Sequence, residues 1–415
     1  MSKIKFLAVA GVSALSLSFA VSQAEAAGFY LQEQSVSGLG NAFAGQVATP
    51  RDSSIVYFNP AGMTHLKGTN INVGVHVIAP NSEMDNTGSV IPFGGATGDD
   101  GGNPYSPSPV PNMSISHETI KDKLWLGAVV AAPFGLGSDY GDDWFGRFDS
   151  TKTKLKTIEI TPSFAYKFSE KFSVGGGLTY QIAHAKLDSI SNGGTGEVSS
   201  RLEGDDTSFG WNIGVLYEPI DGTVLGAHYR SNIYQELEGE LVSSLLPGGQ
   251  LSATAELNTP EIAQIGINQR INEKWSVQAG ATWFGWNSFD NITAYDLGGT
   301  QRSRTEQNYQ TTWAFGVGAE YEMNDKWTLR AGYQFDETPT TDEYRTSRTP
   351  DGDRHWIAAG TTYKLNDKMS LDFAATYIDV AEETINVSRN SNLASLQADT
   401  DGHVAIVALG LNYKF

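Results

Sequence analysis

Two arginines one residue apart, Arg302 and Arg304, carry the plainest chemistry in this chain. Counted by strand alternation from Trp313 and Phe315, both turn away from those aromatics and point inward. A guanidinium grips a carboxylate through two parallel hydrogen bonds, so an inward pair would hold an acidic head group. The competing reading is a solvated loop pair. Little else is spaced for chemistry. The seven histidines, at 65, 76, 117, 184, 228, 355 and 403, fall at no metal-ligand spacing, and no nucleophile elbow or phosphate loop is present. Asp99-Asp100, Asp142-Asp143 and Asp205-Asp206 offer hard oxygen donors to a divalent cation, but none has calcium-loop spacing, and they read as solvated acidic loops. There is no cysteine, which removes disulfides and thiolate metal sites. Neither catalysis nor a cofactor is expected.

The elements that must position such residues are strands. A leader comes first: Lys3 and Lys5 precede an apolar run over residues 6–20, and Ala24-Glu25-Ala26 marks cleavage before Ala27. That run is short for a membrane anchor, and no later segment approaches the ~18 apolar residues of a spanning helix. Residues 27–67 alternate poorly, are rich in glycine and make a bad strand; they are expected to form a hatch. From residue 68 to 415 one device recurs, a short charged turn followed by a strand opening on a bulky apolar residue. The turns are Lys121-Asp122-Lys123, Ser169-Glu170-Lys171, Asp221-Gly222, Asn272-Glu273-Lys274, Asn324-Asp325-Lys326 and Asn366-Asp367-Lys368.

Between the turns the alternation is clean. Trp275, Val277, Ala279, Ala281 and Trp283 share one face; Trp327, Leu329, Ala331, Tyr333 and Phe335 share another; so do Met369, Leu371, Phe373, Ala375 and Tyr377. These runs hold for about 9 residues or more, the length of a tilted strand crossing a bilayer. In lipid every backbone donor and acceptor needs a partner, so such a sheet must close. Six short turns and seven longer connections, near 80–110, 134–152, 189–206, 240–250, 293–307, 340–352 and 389–398, predict about 14 strands, an even number as in bacterial barrels. The expected fold is all-β: a transmembrane antiparallel β-barrel with an N-terminal hatch in its lumen. Pro162 and Pro260 fall inside strands and mark ladder breaks or bulges. Gly175-Gly176-Gly177 would let the hatch or a bend approach the wall. The net charge of −19 argues against a nucleic-acid partner, since phosphate binding needs clustered Lys and Arg.

At Asn59-Pro60-Ala61-Gly62-Met63 the chain resembles the FadL family of outer-membrane transporters for long-chain fatty acids and for toluene and xylene. Ala27-Gly28-Phe29, Ser37-Gly38-Leu39-Gly40, Pro133-Phe134-Gly135-Leu136-Gly137, Trp144-Phe145-Gly146-Arg147-Phe148, Gly210-Trp211-Asn212-Ile213-Gly214 and Pro350-Asp351-Gly352-Asp353-Arg354-His355-Trp356 extend the match over nearly the whole mature chain. The alternating last strand ends on Phe415, which looks like the signal read by the barrel assembly machinery.

The resemblance implies a monomeric barrel in the bacterial outer membrane, among lipid and lipopolysaccharide, taking up hydrophobic molecules passively. The ligand would pass from outer loops to a lumenal pocket and leave sideways beside a kinked third strand, placed here within residues 124–134. Phe29 matches the segment touching the pocket; Asn59, Pro60 and Ala61 match the hatch motif beside the kink. Where the family offers an arginine and a lysine to the carboxylate, this chain has Ser189 and Thr305. Either Arg302 or Arg304 replaces the lost charge, or the ligand is an uncharged hydrocarbon. The rival from another class is a general diffusion porin, which needs no hatch.

Overall fold

The computed structural model describes residues 28–92, 97–194, 196–389 and 393–415. The leader and its cleavage site lie outside them. Nineteen strands are described: β1 Thr69–Asn86, β2 Ser108–Ile120, β3 Leu124–Ala131, β4 Gly135–Asp139, β5 Lys152–Ser169, β6 Phe172–Asn192, β7 Glu197–Tyr217, β8 Thr223–Arg230, β9 Ile233–Ser243, β10 Gln250–Thr259, β11 Ile262–Arg270, β12 Trp275–Phe284, β13 Asn291–Asp296, β14 Gln301–Glu306, β15 Thr312–Glu322, β16 Trp327–Asp336, β17 Arg354–Asn366, β18 Met369–Arg389 and β19 Ala394–Lys414. All strand pairs are antiparallel, and β1 pairs with both β2 and β19, so the sheet closes on itself.

Five crossings are interrupted once each, giving the pairs β3/β4, β8/β9, β10/β11, β12/β13 and β14/β15. The halves stay side by side in the wall: β3 and β4 both pair with β5, and β8 and β9 both pair with β7. The nineteen segments therefore make a barrel of fourteen crossings.

The alternating apolar faces turn outward. Trp275, Val277, Leu329, Tyr333, Phe373 and Tyr377 are all exposed, the reverse of a water-soluble core. Rings pair beside the short turns, Trp275 with Tyr321 at 4.6 Å and Trp327 with Tyr363 at 4.5 Å. Others pair further along the strands, Tyr180 with Phe209 and Trp211 with Tyr229, both at 5.3 Å. Aromatic girdles of this kind sit at the two water–lipid boundaries.

Both strand prolines are ladder breaks and not bulges. The β5–β6 ladder stops at Ile160↔Tyr180 and resumes in the same register at Ser163↔Gly177. Thr259↔Ile233 and Ile262↔Arg230 likewise keep one register across Pro260. Proline supplies no N–H, so the rung is lost without a change of alignment. Three stretches expected as long connections, 189–206, 293–307 and 389–398, are mostly paired strand. A two-stranded ribbon outside the membrane has water on both faces, so its Ser, Asp and Gly composition looks like loop. β6 and β7 each run 21 residues, roughly 70 Å at ~3.3 Å per residue, far beyond the ~30 Å hydrocarbon layer.

Residues 28–67 fill the lumen and are almost wholly buried. They fold as single turns, Val36–Leu39, Gln46–Ala48, Ile55–Phe58 and Pro60–His65. Side chains cap two of these turns: Ser35 Oγ accepts from Gly38 N at 3.1 Å, and Asn59 Oδ1 accepts from Ala61 N at 3.1 Å. Val36, Leu39, Ile55, Val56 and Met63 pack against inward wall residues including Ile78, Trp125 and Trp356.

Candidate ligand-binding site

The breaks in the wall place rings inside the barrel. Between β12 and β13 the chain makes a turn at Trp286–Ser288, which carries Trp286 and Phe289 inward; the gap between β14 and β15 carries Tyr309, and that between β3 and β4 carries Phe134. Phe29 of the hatch sits among them, 4.7 Å from Trp286, 5.1 Å from Phe289 and 5.9 Å from Phe134 between ring centres. All three contacts are edge-on, the arrangement the ring quadrupole favours. Gly28 has φ +64°, and a Cβ there would stand 2.8 Å from the Trp286 ring, so the approach requires glycine. Its N–H donates to Asp351 Oδ2 at 2.8 Å, and Asp351 is held in turn by Arg354 and by Thr338 Oγ1 at 2.8 Å.

Beside Phe29 lies a narrow apolar cavity of about 60 Å³. Leu136, Leu155, Leu187, Leu257 and Phe289 form much of its wall, and Arg348 stands in its lining. Glu203 and Glu256 border it through the backbone; alternation from Leu202 and Leu257 turns their carboxylates to the other face.

The hatch also repairs the wall. Leu31 N donates to Pro133 O at 2.7 Å, Gly135 N donates to Phe29 O at 3.0 Å, and Tyr30 bridges Phe134. Gln34 exchanges bonds with Ala132, donating from Nε2 to its O at 3.1 Å and accepting from its N at 3.3 Å. Residues 29–34 thus pair with the stretch where the β3/β4 crossing breaks, at the end of the expected kink. Next to it, the β2–β3 ladder ends at Met113↔Val130 and β4 pairs only with β5. Among the described residues, 108–112 of β2 therefore face no strand on that side, and Pro109 and Pro111 have no N–H to offer.

Asn59, Pro60 and Ala61 open a turn that packs against β3, β5, β6 and β7. Asn59 donates to Val47 O at 2.8 Å and to Val215 O at 3.0 Å. A Cβ on Gly175 would stand 2.5 Å from Ala61 N, and one on Gly214 would stand 2.1 Å from Asn59 Oδ1. The triple glycine is therefore where hatch backbone meets wall, and the motif seats on β6 and β7.

The arginine expectation needs correcting. Arg302 and Arg304 are exposed on the outer ribbon, Arg302 bonded to Asp296 at 2.9 Å and Arg304 to Glu306 at 2.6 Å. Neither lines the cavity. Alternation does not survive the non-strand gap between β14 and β15, so counting back from Trp313 and Phe315 assigns the wrong face. Thr305 pairs with cavity-lining Ile292 and shares its face, whereas Arg304 pairs with Thr293. Ser189 is half-buried, two residues beyond cavity-lining Leu187, and borders a separate polar hollow with Asp188 and Arg201. Phe29 does line the cavity. Sequence reasoning missed Trp286, Phe289, Tyr309 and Arg348. A signal for the first two was present, since Phe284-Gly285-Trp286-Asn287-Ser288-Phe289 breaks the alternation that runs up to Trp283.

The chain is 28% identical, over 97% of its length and 98% of the relative's, to the long-chain fatty acid transport protein of Escherichia coli strain CFT073. It is 26% identical over similar shares to outer membrane protein P1 of Haemophilus influenzae Rd. A crystal structure of a Pseudomonas aeruginosa FadL homologue superposes with a TM-score of 0.88 at 25% identity, covering 94% of this chain and 100% of that one. The toluene transporter TbuX of Ralstonia pickettii shares the fold, with a TM-score of 0.67 at 18% identity, covering 91% of this chain and 100% of its own. Residues 17–415 match the family described as outer membrane protein transport protein (OMPP1/FadL/TodX), and the chain belongs to that family of outer-membrane barrels.

Proposed function

We propose that this protein takes up long-chain fatty acids through the outer membrane by passive, ligand-gated diffusion with lateral exit through the wall. One observation carries the reading: residues 29–34 both close the cavity, through Phe29, and supply the missing partner to the broken β3/β4 crossing. A ligand that displaces Phe29 would also unpair that stretch of wall. Asn59, Pro60 and Ala61 would hold the rest of the hatch in place during this movement. Partition supplies the drive: at ~0.8 kcal/mol per methylene, a 16-carbon chain gains on the order of 10 kcal/mol on leaving water. The chain would be exported, cleaved before Ala27, inserted by the barrel assembly machinery and active as a monomer among lipid and lipopolysaccharide, with no catalytic step.

A second reading, uptake of aromatic or aliphatic hydrocarbons by the same route, is favoured by the apolar wall of the cavity. Uptake of labelled hexadecanoate and of toluene by cells lacking their own transporter separates the two. Deleting residues 28–34 should leave a heat-resistant barrel in the outer membrane and lower uptake at least about 10-fold. Full uptake by that variant overturns the gating role. Large steady conductance of the wild type in planar bilayers would point to a diffusion porin.

A further inference from the structure

Among the described residues, every arginine that is not exposed lies within 4.0 Å of a carboxylate, except Arg348. Its terminal nitrogens donate to four neutral oxygens instead. Nη1 reaches Lys152 O at 3.2 Å and Thr153 Oγ1 at 3.0 Å; Nη2 reaches Asp149 O at 3.0 Å and Asp188 O at 3.1 Å. The two carboxylates that act on it, Asp149 and Asp188, are engaged by other groups. Asp149 holds Arg389 at 2.6 Å and Ser347 Oγ at 2.6 Å, and Asp188 holds Arg201 at 2.9 Å with Lys186 at 3.8 Å. Both acids are thus shared with other cations, of which Arg201 is also met by Glu203 and Glu240. Burial pushes the Arg348 guanidinium down to about 10, with Asp149 opposing, which leaves it charged at neutral pH.

The side chain is locked in direction, its Nε–H is the donor that no described protein group uses, and it stands in the wall of a cavity whose other side chains are mostly apolar, with Thr153, Gln307 and Thr349 among them. A guanidinium hydrogen-bonded only to neutral oxygens beside an apolar chamber, with its nearby acids shared, gains when a further negative group arrives. We infer that Arg348 is the counter-charge for the head group of an amphipathic carboxylate whose tail fills the cavity, and that it selects such molecules over neutral ones of equal length. This rests on the proposed uptake of hydrophobic ligands at this site, and it assigns to a loop arginine the role expected of Arg302 or Arg304.

The test titrates hexadecanoate, methyl hexadecanoate and toluene into the full mature barrel in detergent at pH 8, for wild type, Arg348→Gln and Arg348→Lys. Wild type should bind the acid about 10-fold more tightly than the ester, the worth of one charge-assisted hydrogen bond. Arg348→Gln should weaken the acid about 10-fold and the ester less than about twofold, and Arg348→Lys should keep most of the preference. Equal weakening of acid and ester would make Arg348 a residue that only positions its loop, and unchanged acid binding would leave it no role; either overturns the assignment. Should the glutamine variant not fold, wild type decides alone. Lowering the pH to about 3, below the ordinary carboxyl value of about 4.3, protonates the ligand and should erase most of its margin over the ester; a margin indifferent to pH overturns the assignment. Tighter binding of toluene than of either long chain, or no saturable binding at all, overturns the fatty-acid reading and this assignment with it.

Discussion

On the side of the lumen formed by β15–β19 the hatch meets ions; on the β3–β4 side it meets rings. Arg51 donates to Glu320 at 2.9 Å, Glu320 also holds Arg330 at 2.6 Å, and Arg330 reaches Thr362 Oγ1 at 2.7 Å with Asp372 at 3.9 Å. A polar hollow bordered by these groups lies beside them. Opposite, Phe29 touches Phe134, Trp286 and Phe289, and backbone bonds from residues 29–34 complete the contact. The two attachments differ in what can replace them. Removing one partner of a buried ion network strands the rest, and no hydrophobic molecule substitutes for it. Ring contacts are non-directional enough for an acyl chain to exchange with them at little cost. A hydrophobic ligand would therefore loosen the tip of the hatch and leave its base anchored.

The sharpest break of that comparison is Glu320→Ala. It leaves Arg51 and Arg330 without their shared carboxylate and should cost about 3–5 kcal/mol at the base. Trypsin should then cut at Arg51 and ion conductance should rise while the barrel stays heat-resistant; continued protection would remove the anchoring role. Phe29→Ala comes next, at about 3 kcal/mol, the low end for a buried ring because the backbone ties remain. It should speed ligand exchange and expose residues 28–34 to proteolysis without raising conductance.

A third effect depends on pH. Burial raises the Glu33 carboxyl from 4.5 to about 7, its own backbone and Arg354 opposing, and its Oε2 has no hydrogen-bond partner. With the folded value above the unfolded one, the stabilisation is complete below about 4.5 and disappears as pH rises through about 7. Hatch protection, followed by proteolysis between pH 5 and 8, should fall with rising pH by on the order of 2 kcal/mol. Glu33→Gln should flatten that profile. The smallest effect is expected from replacing Arg302 and Arg304 together by alanine, since exposed ion pairs contribute little. Hexadecanoate affinity should shift less than about twofold, and a larger loss would return the head group to the outer ribbon.

The barrel was legible because its rules are local. Alternation through Trp275–Trp283 or Met369–Tyr377 depends on neighbours two residues apart, and lipid requires the sheet to close. The charged turns could be counted for the same reason, and the crossing number followed. The lengths of the outer ribbons did not follow, because with water on both faces composition no longer distinguishes strand from loop. The break after Ala131 was foreseen through family likeness and not through any property of the residues themselves.

By itself, the sequence determined an outward-facing apolar barrel and a glycine-rich segment unfit to be part of its wall. Only the tertiary structure decided which groups face the cavity. Phe29, Phe289 and Arg348 of its lining, with Trp286 and Tyr309 packed behind them, come from a hatch, two interruptions and one loop, and none obeys the period of the strand beside it. Period two carries direction only while hydrogen bonds run unbroken. The site of this barrel is built where they stop, so its chemistry is set by long-range closure and not by spacing along the chain.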